Sequence, residues 1–341
     1  MNILLTGGAG YIGSHTAVAL AKAGHTVTLL DNLSNSSVSV IDKIAQIVGS
    51  RVSFVECDVR DTAGIRSVLK AYAIDAVVHF AGLKAIGESV AQPVDYYSNN
   101  VQGTISLLQA MQAESVSSLV FSSSATVYGV PQYLPYDEAH PTGPTNPYGR
   151  TKLHAEELLR DLAQADDAWR IICLRYFNPV GAHESGLLGD TPLGIPNNLM
   201  PFVAQVAIGQ RAELKVFGND YETPDGTGVR DYLHVMDLAE GHVAAFDYLA
   251  KHAGWSAINL GTGRGYSVLE VVRAFERTNE CTIPYVFAPR RTGDIAAYYA
   301  SAERARNMLG WTAMRSLDEM CASTWQYYRM AYPTVKSLNR A

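Results

Sequence analysis

Thr6-Gly7-Gly8-Ala9-Gly10-Tyr11-Ile12-Gly13 follows a short apolar run at 2–6 and opens a helical pattern near 12–23. The glycines at 7, 10 and 13 are spaced GxxGxxG. Glycine turns are common, and this spacing alone also reads as an ordinary strand-to-helix turn. The context narrows it: a second run at 26–31 ends in an acid, Asp31. Gly7 permits the tight turn, Gly10 lets the backbone approach a pyrophosphate, and Gly13 lets the helix pack close on the sheet. The helix N-terminus offers free amides and a positive dipole end to phosphates. A carboxylate at Asp31 accepts hydrogen bonds from a ribose 2′-hydroxyl and repels a 2′-phosphate. That favours NAD over NADP.

Further along, short apolar or β-branched runs at 52–56, 76–81, 119–123 and 171–176 alternate with helical patterns near 38–48, 62–73, 93–113 and 148–165. Alternation of this kind predicts an α/β fold: a Rossmann-type doubly wound parallel sheet, covered on both faces. Ligands bind such sheets at the carboxyl ends of the strands. Asp58 follows the third strand and is a candidate for the adenine end of the dinucleotide. Phe80-Ala81-Gly82-Leu83-Lys84 closes the fourth, where small residues let a cofactor lie against the backbone. Lys84, Asn99 and Asn100 also read as plain surface residues. After Tyr176 the chain changes character. The stretch 178–198 is rich in Gly, Pro, Asn and His, and predicts a long functional loop. It leads to an apolar helix at 198–209 and shorter mixed elements. A helix near 236–252 and a strand near 257–260 are expected to rejoin the first sheet. The expected division is an NAD-binding domain at 1–177, with a return near 233–262, and a smaller mixed α/β substrate domain at 178–341.

Composition limits the function. Of 341 residues, 48% are hydrophobic and 18% charged, which excludes a disordered chain. A net charge of −6 argues against a general basic surface for nucleic acid, so no nucleic-acid partner is expected. No run of 18 apolar residues occurs, and no membrane association is expected. The start of the chain has no signal-peptide pattern. The four cysteines lie far apart, with no zinc spacing. They read as free thiols of a cytoplasmic protein, and no metal site is expected.

Pro147-Tyr148-Gly149-Arg150-Thr151-Lys152 opens another helix. Tyr148 and Lys152 stand four apart, hence on one face. An ordinary tyrosine is a poor base at neutral pH. A nearby ammonium, with a nicotinium cation, stabilises its phenolate, which can then take a proton from a sugar hydroxyl. Ser122, Ser123 and Ser124 end the fifth strand on the same rim, where Ser124 is placed to bond the same oxygen. Tyr–Lys pairs on helices are usually structural. Of the 19 tyrosines, Tyr128, Tyr133, Tyr136, Tyr176 and Tyr232 are rivals, but none of these has a lysine four residues on.

Together these motifs resemble the extended short-chain dehydrogenase/reductase family, over nearly the whole chain. The glycine turn continues as Ser14-His15, and His79 precedes Phe80 to Lys84. Phe121 to Gly129, Arg175 to Ala182, Gly194 to Pro201 and Gly228 to Val235 carry the likeness through both halves. The resemblance implies a nucleotide-sugar enzyme, an isomerase of galactose metabolism that interconverts UDP-galactose and UDP-glucose. In such an enzyme Tyr148 takes the proton of the 4′-hydroxyl while hydride passes to tightly held NAD. The 4-keto sugar then turns about its diphosphate, and hydride and proton return to the other face.

For NAD, the resemblance adds Tyr11, Ile12, Asn32, Asn35, Val59, Asn99, Ser122 and Phe177 to the residues above, with Tyr148 and Lys152. For the UDP-hexose it implies Lys84, Ser124, Tyr148, Asn178, Asn198 and Leu199 near the sugar and diphosphate. Leu214 and Phe217 would meet uracil, with Lys215 and Val216 between them. Arg230 and Arg291 would hold the diphosphate and Asp294 the ribose, and Tyr298 would limit the sugar pocket. From the pattern alone, Leu214 and Phe217 read as core, and Arg230 next to Asp231 as an ion pair. Arg150 and Thr151 replace the Lys and Ser common in the family. A nucleotide-sugar 4,6-dehydratase is the nearest alternative, but it needs an Asp-Glu pair where this chain has Ala125-Thr126. A simple reductase or a non-catalytic NAD sensor are others. The long helices at 93–113 and 148–165 are expected to pair in a homodimer.

Overall fold

The computed structural model describes residues 1–192, 194, 196, 198–291 and 293–333. Seven parallel strands form the central sheet. Six are β1 (Asn2–Thr6), β2 (Thr26–Asp31), β3 (Ser53–Glu56), β4 (Ala76–His79), β5 (Ser118–Ser124) and β6 (Arg170–Tyr176). The seventh is Gly254–Leu260, beside β6, so the order is Gly254–Leu260, β6, β5, β4, β1, β2, β3. The chain steps outward from β1 to β3, then crosses back to lay β4 against β1. That reversal leaves a crevice at the carboxyl ends of β1 and β4, between Thr6 and His79.

The strands are apolar on both faces because both faces are covered. Ile3, Leu5, Leu29, Ile172 and Ile258 join one core with Val18 of helix α1 (Tyr11–Lys22) and Phe246 of the helix Val235–Leu249. Leu4, Leu30, Val77, Leu119 and Ile171 join the opposite core with Leu107, Met111 and Leu159. A third core lies outside the sheet, where the helices Leu199–Ala207, Val268–Asn279 and Leu317–Ala331 pack together. Two small sheets border it. Leu214–Phe217 pairs with Tyr285–Ala288, and Val229–Arg230 lies between Tyr266–Ser267 and Ala297–Tyr298.

Two elements differ from their sequence pattern. The helix expected over 93–113 is α-helical at Pro93–Tyr96, widens into a π-helix at Tyr97–Gln102, and resumes at Gly103–Ala113. A π segment often marks a functional site. Here it carries Asn99 and Asn100 beside the end of β4. The loop after β6 contains a short strand, Asn178–Val180, paired with Tyr232–His234. Leu193, Ile195 and Asn197, within the motif-bearing part of that loop, lie outside the described residues, as does 334–341.

Candidate active site

The glycine turn forms as its spacing predicts. Gly7 has φ +67°, and a side chain there would sit 2.6 Å from the Ala81 amide nitrogen. A Cβ on Gly13 would collide with the Gly7 carbonyl oxygen. The N-terminus of α1 is capped by Gly10, with no side-chain bond and no acid in the first turn. The first amides of α1, at Tyr11, Ile12 and Gly13, therefore face the crevice without a competing anion. This cradle fits the diphosphate of a dinucleotide. Asp31 closes its side, accepting from the Ala9 amide at 3.1 Å, the Leu33 amide at 2.9 Å and Ser36 Oγ at 3.0 Å. Tyr11 reaches over the crevice to donate to the Gly181 carbonyl at 2.7 Å, tying the turn to the loop after β6.

Further out, Asp58 is clasped by Arg60 through Nε at 2.9 Å and Nη2 at 2.7 Å, and by Asn32 Nδ2 at 3.2 Å. The Arg60 fork holds its carboxyl well below the usual range. Val59 is buried, whereas Asn35 is exposed. At the end of β4, burial pushes His79 down to about 3, so its ring is neutral. Thr104 gives its proton to the Asn100 carbonyl, so it accepts from His79 Nε2 at 3.1 Å. His79 Nδ1 then accepts from Thr6 at 2.7 Å. This fixes the ends of β1 and β4 to the π segment.

Asn100, which by pattern also reads as a surface amide, is part of the framework of the cleft. It is buried, accepts from the Leu83 amide at 2.8 Å, and donates to the Leu83 carbonyl and Thr151 Oγ1, both at 3.0 Å. It therefore locks the Ala81–Lys84 loop to the helix that bears Tyr148. The preceding half-buried Asn99 and the exposed Lys84 make no such clasp among the described bonds. No sequence periodicity marks Asn100, because its role depends on the π register.

Helix Pro147–Ala165 begins where Asn146 accepts from the Gly149 amide at 2.8 Å and Pro147 takes the first helical position. That start puts Tyr148 in the first turn, at the carboxyl end of β5. Lys152 is buried and donates to the Ser122 carbonyl at 2.6 Å, with its Nζ 4.9 Å from the centre of the Phe121 ring. A Cβ on Gly82 would sit 3.6 Å from the same nitrogen, so the β4 loop passes over it. Burial lowers the Lys152 ammonium to about 8, against the opposing pull of Cys173 and Glu156. Burial raises the Tyr148 phenol, the Ser124 hydroxyl pulls it back down, and Tyr298 adds to the rise. Ser124 Oγ accepts from the Thr126 amide at 3.2 Å and Thr126 Oγ1 at 3.0 Å, leaving its own proton free for a third partner. The protein's own groups thus leave Tyr148 a weak acid. A further positive charge, such as an oxidised nicotinamide ring, is what would make it a base.

Tyr298 belongs to this cluster. It donates to Asn178 Oδ1 at 3.1 Å and approaches the buried Phe177 ring at 6.2 Å. The Arg230 guanidinium lies 4.5 Å from the centre of the Tyr298 ring. The ion pair that Arg230 and Asp231 suggest by adjacency does not form. Asp231 is fully buried and accepts from Thr262, Gly263 and Ala300. Arg230 bonds the Val229 carbonyl at 2.8 Å and has no carboxylate partner among the described residues. It is available to an anion beside the Tyr298 ring.

The remaining substrate residues are spread more widely. Leu214 and Val216 turn into the third core, while Lys215 and Phe217 face outward. Arg291 lies 5.1 Å from the Phe217 ring centre and pairs with Asp294, Nε to Oδ2 at 2.9 Å. Arg230 and Arg291 share a neighbourhood, since both draw down the Tyr221 and Tyr232 phenols that burial raises. Asn198 is exposed and stands just before the helix that Leu199 begins, with no side-chain bond to it.

The chain matches the family model described as GDP-mannose 4,6 dehydratase over residues 4–324. It is 56% identical to UDP-glucose 4-epimerase of Bacillus subtilis (strain 168), covering 96% of each chain. It is 54% identical to UDP-glucose 4-epimerase of Homo sapiens, again over 96% of each. Among solved structures, UDP-glucose-4-epimerase from Stenotrophomonas maltophila, with bound NAD and formylated UDP-arabinopyranose, superposes with TM-score 0.96. That pair is 50% identical, over 98% of this chain and 99% of the other. The Bifidobacterium longum enzyme in complex with NAD+ and UDP gives TM-score 0.94 at 52% identity, over 98% and 100%. With its glycine turn, its Tyr–Lys helix and these end-to-end matches, the chain belongs to the UDP-glucose 4-epimerase family of extended short-chain dehydrogenase/reductases.

Proposed function

We propose that the protein inverts C4 of a UDP-hexose, interconverting UDP-galactose and UDP-glucose. The observation that carries this is the meeting of Tyr148, Lys152 and Ser124 with Tyr298, Asn178 and Arg230 at one strand-end cleft. NAD, when bound along the glycine turn, supplies the oxidant and reductant that take C4 through a ketone and back. Gly7, Gly10 and Gly13, the amides of Tyr11 and Ile12, and Asp31 would hold it. Tyr148 removes the proton of the 4′-hydroxyl and later returns it, while Ser124 donates to the same oxygen. Lys152 holds positive charge beside the reacting face, which favours the phenolate. Arg230, with no carboxylate partner, suits a diphosphate oxygen. A sugar held mainly through its nucleotide can present either face to one base.

The matched family model carries a dehydratase's description, but elimination needs an extra acid and base after Ser124. Ala125 has no titratable group, and Thr126 spends its amide and hydroxyl on Ser124. The purified protein, given UDP-galactose without added NAD, should yield UDP-glucose. No product, even after NAD is supplied, would defeat the proposal.

The proposal includes a homodimer and a cytoplasmic setting. Val90, on the short helix Ile86–Ala91, and Val94, at the start of the broken helix, are 64% and 78% exposed, and both helices border the Tyr148 helix. Apolar side chains that exposed suit a partner surface. Light scattering at micromolar concentration should give twice the monomer mass, and a monomer alone would remove the dimer from the proposal. The four cysteines are free thiols, and no helix among the described residues is long and apolar enough to cross a membrane.

A further inference from the structure

One charged pair lies behind the site and has no part in the chemistry above. Glu156 continues the helix face that carries Tyr148 and Lys152, again four residues on. Its side chain is buried, as is that of Arg175 on β6. Arg175 holds the carboxylate with two bonds, Nε to Oε1 at 3.0 Å and Nη2 to Oε2 at 2.6 Å. Ser123 Oγ donates to Oε1 as well. Arg175 Nη1 donates to the Tyr128 hydroxyl at 3.0 Å, which donates in turn to Asn259 Oδ1 at 2.6 Å. Asn259 Nδ2 donates to the Tyr136 carbonyl at 3.0 Å. Tyr136 is bonded through its backbone to the segment next to Tyr298. Its amide donates to the Tyr299 carbonyl at 2.9 Å, and its carbonyl accepts from the Ser301 amide at 2.6 Å. Across the sheet, Ser123, Arg175 and Asn259 are in register, one position before the ends of their three strands.

We propose that Glu156 and Arg175 are positioning residues for C4 inversion, through a network that fixes the Tyr148–Lys152 face against the Tyr298 segment. This rests on the function proposed above. A buried ion pair is weak evidence for stability, because apolar residues of similar volume often serve the fold as well. Here every member of the chain is bonded, and it ends on both walls of the sugar cleft. Such a network specifies geometry. It also adds a charge where one is needed. Lys152 stands between Tyr148 and Glu156 on one helix face, lies against Phe121 and Ser122 on β5, and neighbours His79 on β4 and Cys173 on β6. Among these, Glu156 is the carboxylate. It supports the ammonium of Lys152 against burial, and Arg175 keeps that carboxylate in place.

The test compares the full chain with Glu156→Gln, with Glu156→Gln/Arg175→Met and with Tyr128→Phe. Turnover of UDP-galactose is followed from about pH 6 to about pH 10, together with thermal melting. Glu156→Gln should lose roughly ten- to a hundredfold in kcat with KM little changed. Its alkaline limb should move to lower pH, because Lys152 gives up its proton sooner. The double variant, which leaves no buried guanidinium without its carboxylate, should recover melting temperature but not kcat. Tyr128→Phe keeps both charges and should lose about threefold to tenfold in kcat with an unchanged pH profile. Wild-type kcat and alkaline limb in Glu156→Gln or the double variant would overturn the inference. If those two do not fold, Tyr128→Phe decides it, and unchanged kcat there refutes it. A wild-type protein that does not turn over UDP-galactose would overturn the proposed function, and this inference with it. An active wild type with indifferent variants overturns this inference alone.

Discussion

Tyr148→Phe removes one oxygen from the site. The ring packs edge-on against Tyr96, with centroids 6.5 Å apart, and phenylalanine keeps that contact. The hydroxyl's polar neighbours are Ser124 and Tyr298, so the fold loses no more than one net hydrogen bond, about 1 kcal/mol. The loss in catalysis should be far larger. A positioned acid–base group is worth about 10²- to 10⁴-fold in rate, which is roughly 3–5 kcal/mol of barrier. No rival tyrosine is arranged to take over. Tyr128 is bonded to Asn259, Tyr133 to Asp137 and Tyr136 to the Gly129 carbonyl at 2.7 Å. Tyr176 is buried against His242 at 2.5 Å, and Tyr232 is also buried. The assay measures initial rates of UDP-glucose formation from UDP-galactose at saturating substrate, with circular dichroism and NAD content recorded for the same preparation. Folded, NAD-loaded Tyr148→Phe with kcat within about tenfold of wild type would refute Tyr148 as the base.

Arg230→Ala should raise KM for UDP-galactose by roughly tenfold or more with a smaller change in kcat, because a grip on diphosphate acts alike in ground and transition states. An unchanged KM would mean that this unpaired cation meets no phosphate. The wild type should turn over UDP-N-acetylglucosamine poorly, since the Tyr298 ring stands over Asn178 and under Arg230. Tyr298→Ser should narrow the gap between acetylated and plain substrates, and equal kcat/KM for both in the wild type would remove the size limit. Acid should destabilise the fold early. Burial lowers His15 and His242 to about 4, and His79 and His234 to about 3, from an ordinary 6.5. These rings stay neutral in the fold while the unfolded chain takes up protons. Their contribution is therefore complete above pH 6.5 and is lost between there and about 3–4, at roughly 1 kcal/mol per histidine per pH unit. Melting temperatures measured from neutral pH down to about 4.5 should fall steeply below 6.5, and a flat profile would contradict the buried neutral rings.

Much of this was readable from local pattern. The glycine turn needs a positive φ at Gly7 and no side chain at Gly13, and both demands are written in eight consecutive residues. Strand and helix alternation predicts the parallel sheet, because strands buried on both faces must be apolar throughout. Tyr148 and Lys152 share a helix face by spacing alone. The resemblance to a family supplied the far substrate residues, which no spacing within this chain marks.

The sequence by itself determined most of the elements, the glycine turn and the Tyr–Lys spacing, since each depends on residues a few positions apart. Only the tertiary structure decided how distant groups share their bonds. Adjacency pairs Arg230 with Asp231, yet the fold buries Asp231 against Thr262, Gly263 and Ala300 and turns Arg230 onto Tyr298. Asn100 looks like a helix-surface amide until the π segment turns it toward Leu83 and Thr151. Glu156, Arg175, Tyr128 and Asn259 come from four separate stretches, and Ser123, Arg175 and Asn259 line up only because β5, β6 and Gly254–Leu260 lie side by side in register. A buried polar group takes whatever partner the packed chain brings within hydrogen-bond reach. That partner is set by sheet order and register, which single-chain periodicity does not encode.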